Sequence, residues 1–246
     1  MATHSTLQDR DPSRRWVSRM LQALIVVAWT NLPAAQLPLN QIPAEYRVPV
    51  QEITEHPDFA FETSTAPAKV RYSTMEKLFD RPRLAAAMWR QCQFVPTFFA
   101  FEQPGRRLTI DDAKGLHGTL TLVLQQPGMR IYLVDGRVET GRMHNPFPVG
   151  ARMVTIYRYW ESEKGFHSRL QTWTKLDSAL LGIVSRPFRG YIRRRQEEFI
   201  AYIMLCISTG GTFADLDPLE FRDPLRREGD PIAVRQFDEI FGRGKK

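Results

Sequence analysis

From Thr97 to Leu176 the chain reads as short runs of alternating apolar and polar residues separated by turn residues. The runs are Thr97–Gln103, Arg107–Asp111, Leu116–Gln125, Met129–Val134, Arg137–Arg142, Ala151–Ser162 and Phe166–Leu176. The breaks are Pro104-Gly105, Lys114-Gly115, Pro127-Gly128, Asp135-Gly136 and Glu163-Lys164-Gly165. Alternation with period two predicts half-buried strands, and these turn pairs predict hairpins. Parallel neighbours would need crossover helices between them, so the spacing predicts an antiparallel meander.

The periodicity differs on either side. Lys69–Ser73 alternates and predicts a first strand, with a shorter one at Phe59–Glu62. Met75, Leu78 and Phe79 take helical spacing, and so do Leu84, Ala85, Met88, Trp89 and Cys92, with Asp80 and Pro82 as cap and first-turn proline between them. After the strands, Asp177-Ser178 caps a helical region that Pro187 divides into Ala179–Val184 and Phe188–Ile207. Its apolar stripe is Val184, Phe188, Ile192, Phe199 and Ile203, and Gly210-Gly211 is expected to stop it.

The flanks are punctuated by proline. Pro38, Pro43, Pro49, Pro57 and Pro67 predict an extended stretch, because proline fixes φ and removes a backbone donor. The expected organisation is an arm over residues 36–65, a folded unit over 66–208 and a second arm over 209–246. The second arm carries three Asp-Pro steps and a short helix near Ile232–Phe241. Residues 1–35 hold four arginines, then the apolar run Met20–Trp29, then Ala34-Ala35. That order predicts an export signal, and the run is half the length of a membrane span. Ser13-Arg14-Arg15-Trp16-Val17 is similar to a twin-arginine signal, although Ser18 departs from the pattern, so the expected route to the periplasm or exterior is either that one or the general secretory one.

Charge changes the picture little. The 246 residues carry a net +7, and the basic residues are scattered apart from Arg193-Arg194-Arg195, unlike the concentrated basic face of a nucleic-acid binder. No nucleic-acid partner is expected, whereas association with a membrane surface stays open. Cys92 and Cys206 read as buried free thiols. None of the five histidines has metal-ligand spacing, no serine-nucleophile or dinucleotide motif occurs, and no cofactor is expected.

The order of elements resembles the helix-grip fold of the START-like ligand-binding and polyketide-cyclase superfamily. The likeness covers roughly residues 66–207, with local echoes at Tyr72–Asp80 and Ser185–Arg189. It implies an α+β fold in which a curved antiparallel sheet of about six or seven strands grips a long C-terminal helix, with two short helices after the first strand. It also implies a cavity between sheet and helix for a small hydrophobic or amphipathic ligand: lipid-, sterol-, quinone- or polyketide-like. The expected lining is Leu120, Leu122, Ile131, Leu133, Ile156 and Leu170 from the sheet, with Phe188, Ile192 and Phe199 from the helix. Leu124, Val154, Phe166 and Ile203 extend that set. Arg158 and Trp160 join it if the even-numbered face of their strand points inward. If Met153, Tyr157 and Tyr159 point inward instead, Arg158 faces out. A buried Arg158 would need an acid or an anionic ligand group. Two other functions fit the same scaffold: a cyclase or isomerase using His117, Arg158 or a tyrosine as acid or base, and an interaction protein docking through its terminal arms.

Overall fold

In the computed structural model the described residues are 37–138, 149–177 and 189–242. The segment 1–35 expected to be an export signal, the helical region expected over Ala179–Phe188, and His144 lie outside them. Seven strands form one curved sheet, every neighbouring pair antiparallel: β1 (Phe59–Ser64), β2 (Phe99–Gln103), β3 (Arg107–Asp111), β4 (Leu116–Gln126), β5 (Met129–Val138), β6 (Val149–Ser162) and β7 (Gly165–Leu176). Their spatial order is β1-β7-β6-β5-β4-β3-β2, a meander from β2 to β7 closed by β1 at the far edge. Among the described residues six α-helices accompany it: α1 (Ala44–Glu55), α2 (Tyr72–Phe79), α3 (Pro82–Gln91), α4 (Arg189–Leu216), α5 (Pro218–Glu228) and α6 (Pro231–Phe241).

The sheet is covered on both sides. On its outer face Val50 and Ile53 of α1 pack with Ile42 on Val123, Ile131, Val154 and Ile156. On its inner face Met75 and Leu78 of α2, Leu84 and Met88 of α3, Met204 of α4 and residues of α5 and α6 enclose Tyr157, Tyr159 and Phe166. Both faces of β6 are therefore buried along its middle.

Several expectations are corrected. Lys69–Ser73 is not a strand. Phe59–Ser64 takes the edge position because Phe59 and Phe61 alternate into the inner core, while Ala68 makes a single bridge to Phe166. The arm at 36–65 is not extended throughout. α1 forms around Pro49, and packing of its apolar face on the sheet outweighs the hydrogen bond that proline removes. Asp135-Gly136 is not a turn: β5 runs straight through it, with Gly136 paired to Gly118 and Ala151. Gly210-Gly211 does not stop α4. At Gly211 a Cβ would stand 2.8 Å from Met75 Sδ and 3.1 Å from Val70, so the glycine is where α4 crosses the α2 region most closely. The C-terminal arm is helical along most of its length, not only near Ile232–Phe241, where a helix was expected and is found. Asp217-Pro218 and Asp230-Pro231 act as helix starts, with Asp230 Oδ1 accepting from the Ile232 and Ala233 amides at 3.1 Å.

Candidate functional site

Strand register decides which side chains share the inner face. Successive residues of a strand alternate faces, and paired residues share one. Inner-face rows follow from the pairings Arg130–Tyr157–Leu170, Tyr132–Thr155–Thr172 and Val134–Met153–Thr174. Leu122 continues the second row, while Leu120 and Leu108 continue the third. The odd-numbered residues of β6 thus point toward α2–α6, and the even-numbered ones point outward.

At one end of this face sits an ionic network. Arg130 is fully buried and pairs with Glu76 at 2.9 Å and Asp80 at 2.8 Å, both from α2. Its Nε donates to the Tyr159 hydroxyl at 3.1 Å. Tyr159 and Tyr72 in turn donate to Glu76 Oε1, at 2.6 and 3.0 Å. Phe79 closes the arrangement, with the guanidinium carbon 5.3 Å from its ring centre. Burial pushes the Glu76 carboxyl up, but hydrogen bonds from Tyr159, Arg130 and Tyr72 outweigh it and hold its pKa below the usual value. Burial opposes the charge of Arg130, yet Tyr159 and Asp80 keep its pKa raised. Tyr159 is pushed up by burial and by the adjoining Glu76. The network holds one cation and two carboxylates, so it offers no free positive charge.

Next to it the inner face carries hydroxyls. Thr155 and Thr172 meet at 3.3 Å. Among the described residues, the Tyr157 hydroxyl and Thr174 Oγ1 are sealed from solvent and neither makes a hydrogen bond of ordinary geometry. Ser168 is a loose hydrogen-bonding neighbour of Tyr157 that partly opposes the effect of burial, while its hydroxyl also meets that of Thr65 at 2.9 Å. Burial raises the Tyr157 pKa strongly, keeping it a neutral donor. Toward β3 and β4 the face turns apolar through Leu108, Ile110, Leu120 and Leu122, all half-buried. Buried hydroxyls are normally paired, so unpaired ones aimed into an interior mark a place where polar atoms from elsewhere fit.

The expected lining residues separate into two groups. Leu120, Leu122 and Leu170 lie on the inner face with Phe166. Ile131, Leu133 and Ile156 do not: they lie on the outer face in the core beneath α1, with Val154 and Leu124. Arg158 and Trp160 also face outward. Phe199 is exposed on α4, while Phe188 and the Ile192 side chain lie outside the described residues. One cause of the mistaken set is a bulge. β4 pairs Leu122 with Tyr132 and Leu124 with Ile131, so Val123 is an extra residue and the alternation inverts there. The residues that sequence reasoning passed over are Glu76, Arg130, Thr174 and Asp80 in a ligand context. A lone arginine between Met129 and Ile131 in the apolar first half of β5 was the available signal.

His117 also faces outward, with Nδ1 3.0 Å from Asp111 Oδ2. Asp111 and Asp112 cap the turn that follows, as their position before it suggests: Asp112 Oδ1 accepts from the Lys114 and Leu116 amides at 2.7 and 2.9 Å. Among the described residues, no group of three or more His, Cys, Asp or Glu is placed to hold a metal ion.

No protein-family model and no curated protein matches this chain. Among solved structures it is similar to a conserved protein from Geobacillus kaustophilus, with 11% identity, 63% of this chain and 97% of that one covered, and a TM-score of 0.45. An uncharacterised protein from Rhizobium leguminosarum gives 11%, 62%, 93% and 0.42 for the same measures. A hypothetical protein from Helicobacter pylori gives 9%, 74%, 99% and 0.42. None of the three descriptions names an activity or a ligand.

Proposed function

We propose that this chain is an exported binding protein of helix-grip, START-like type that holds a small amphipathic molecule against the inner face of its sheet. The observation that carries the reading is the pair of buried hydroxyls, Tyr157 and Thr174, that make no hydrogen bond of ordinary geometry among the described residues, on a face whose far side is half-buried leucine and isoleucine. An apolar interior with a few fixed polar groups is the usual composition of a small-molecule site. The ligand's polar groups are neutral hydroxyls or carbonyls rather than a carboxylate, because Arg130 is already compensated by Glu76 and Asp80. Sterol-, quinone- and polyketide-like molecules meet that description, and free fatty acids do not. Glu76 is held ionised and fully hydrogen-bonded, so no proton donor stands ready there and no observation favours acid–base catalysis.

Native mass spectrometry of protein purified from its own export compartment tests this, with organic extraction of whatever is carried along. A bound neutral, oxygenated apolar molecule supports the proposal. A clean protein that fails to bind any member of a sterol, quinone and lipid panel removes it.

A further inference from the structure

The outer face of the sheet has a second built arrangement, beyond the end of α1 and unrelated to the inner face. Arg158 on β6 and Arg169 on β7 are direct cross-strand partners. Like charges placed opposite each other destabilise a sheet unless something else holds them. Here neighbouring side chains do so. Arg158 donates to Gln171 Oε1 at 2.8 Å, and Gln171 Nε2 donates to Glu62 at 2.6 Å. Arg169 stands 5.9 Å over the Trp160 ring, which is itself stacked on His167 at 5.3 Å and 4°. Glu62 is the acid in reach. It lies 3.4 Å from Arg169 Nε, in ion-pair contact, yet that nitrogen makes no formed hydrogen bond although it is sheltered from solvent. Two arginines thus stand at paired positions, with Glu62 in contact with Arg169 and reaching Arg158 through Gln171, and with arginine donors left over among the described residues. Burial lowers the Arg158 pKa, while the Glu62 charge acts upward and the neighbouring Arg169 charge downward to a smaller extent.

We infer that Arg158 and Arg169 form a binding site for a tetrahedral oxyanion, a phosphate group, on the outer face of the β6–β7 hairpin. The planar donor fork of arginine matches two oxygens of such a group, and a charge-assisted pair relieves the repulsion between the two cations. Trp160 and Gln171 hold the forks in place. The phosphate comes either from a small soluble molecule or from a phospholipid headgroup, since both present the same oxygens.

The test titrates the full chain with inorganic phosphate and follows the arginine Nε–H resonances by NMR. In parallel, the chain is sedimented with vesicles of phosphatidylglycerol or of phosphatidylcholine. A saturable shift confined to Arg158 and Arg169 is expected, with Arg158→Gln and Arg169→Gln each weakening phosphate at least tenfold and the double variant abolishing it. Arg158→Lys, which keeps the charge and loses the fork, is expected to weaken it several-fold. Sedimentation with phosphatidylglycerol that the double variant loses identifies a lipid source. Phosphate binding without sedimentation identifies a soluble one. No saturable shift and no sedimentation, or binding that survives the double variant unchanged, overturns the inference.

Discussion

Tyr159 donates a 2.6 Å hydrogen bond to Glu76, whereas Tyr157, two residues earlier on the same face of β6, makes no hydrogen bond of ordinary geometry among the described residues. The two rings sit 5.4 Å apart in one apolar cluster. They differ in what meets the hydroxyl, and that difference separates a residue that holds the fold from one available to a ligand. Tyr159→Phe removes a bond to a charged partner and is expected to lower stability by about 2 kcal/mol. Tyr157→Phe removes an unpaired buried donor and is expected to raise the stability of ligand-free protein by about 1 kcal/mol while weakening ligand binding. Urea unfolding of both variants, with and without ligand, checks the contrast. Equal losses from the two substitutions would contradict it.

Arg130→Met leaves Glu76 and Asp80 without their cation. A buried pair broken on one side usually costs 3–5 kcal/mol, and the partial exposure of both carboxylates reduces this to about 3 kcal/mol. Chemical denaturation measures it. In the variant with Glu76→Gln added, part of the loss should return, because one stranded charge has gone.

Glu76, Asp215 and Asp230 all have pKa values below their ordinary 4.5, 3.8 and 3.8. For Asp215 burial acts upward, but bonds from the Arg71 side chain and amide and from Thr74 prevail. The folded state therefore binds fewer protons than the unfolded chain in the acid range. Stability is fully present above about pH 5 and falls as pH drops through these values. Thermal melts from pH 7 to pH 3 should show the fall, and Asp215→Asn should flatten it.

Cys92 and Cys206 lie close together where α3 meets α4, as free thiols. Burial first, and Cys206 second, push Cys92 up to about 12, and burial pushes Cys206 up to about 11. Almost no thiolate exists at neutral pH, so iodoacetamide should modify both at least a hundredfold more slowly in folded than in unfolded protein. Rapid alkylation of either by mass spectrometry would contradict their placement.

Two glycines of α4 are expected to respond oppositely to alanine. Gly190 has open space around a new Cβ, so Gly190→Ala should add up to about 1 kcal/mol from helix propensity. Gly211→Ala drives a methyl into Met75 and Val70 and should cost about 1–2 kcal/mol net. Melting temperatures of the two variants settle the sign.

Most of the sheet was readable in the alternation, because β2–β4, β6 and β7 each have a polar or turn residue where the chain reverses. The assignment of faces was not readable. Both faces of the sheet are buried under helices, so Val154 and Ile156 look as core-like as Tyr157 and Tyr159. α1 was hidden because Pro49 is unfavourable locally and only packing on the sheet sustains the helix. The last helix was expected near Ile232–Phe241, whereas α5 was hidden for the opposite reason: Asp-Pro reads as a turn, yet it is equally a good helix start, and at residue 217 it is used that way.

The supernumerary Val123 has an unexpected corollary for insertions and deletions. Losing one residue from a strand ordinarily throws every later side chain to the wrong side. Here the partners of Leu124, Gln125 and Gln126 are already those of a strand one residue shorter. Shortening β4 at Val123 would leave all later pairs matched and forfeit only one valine and the local bend. This is the point in the sheet where the gene can drop a codon without scrambling the layers.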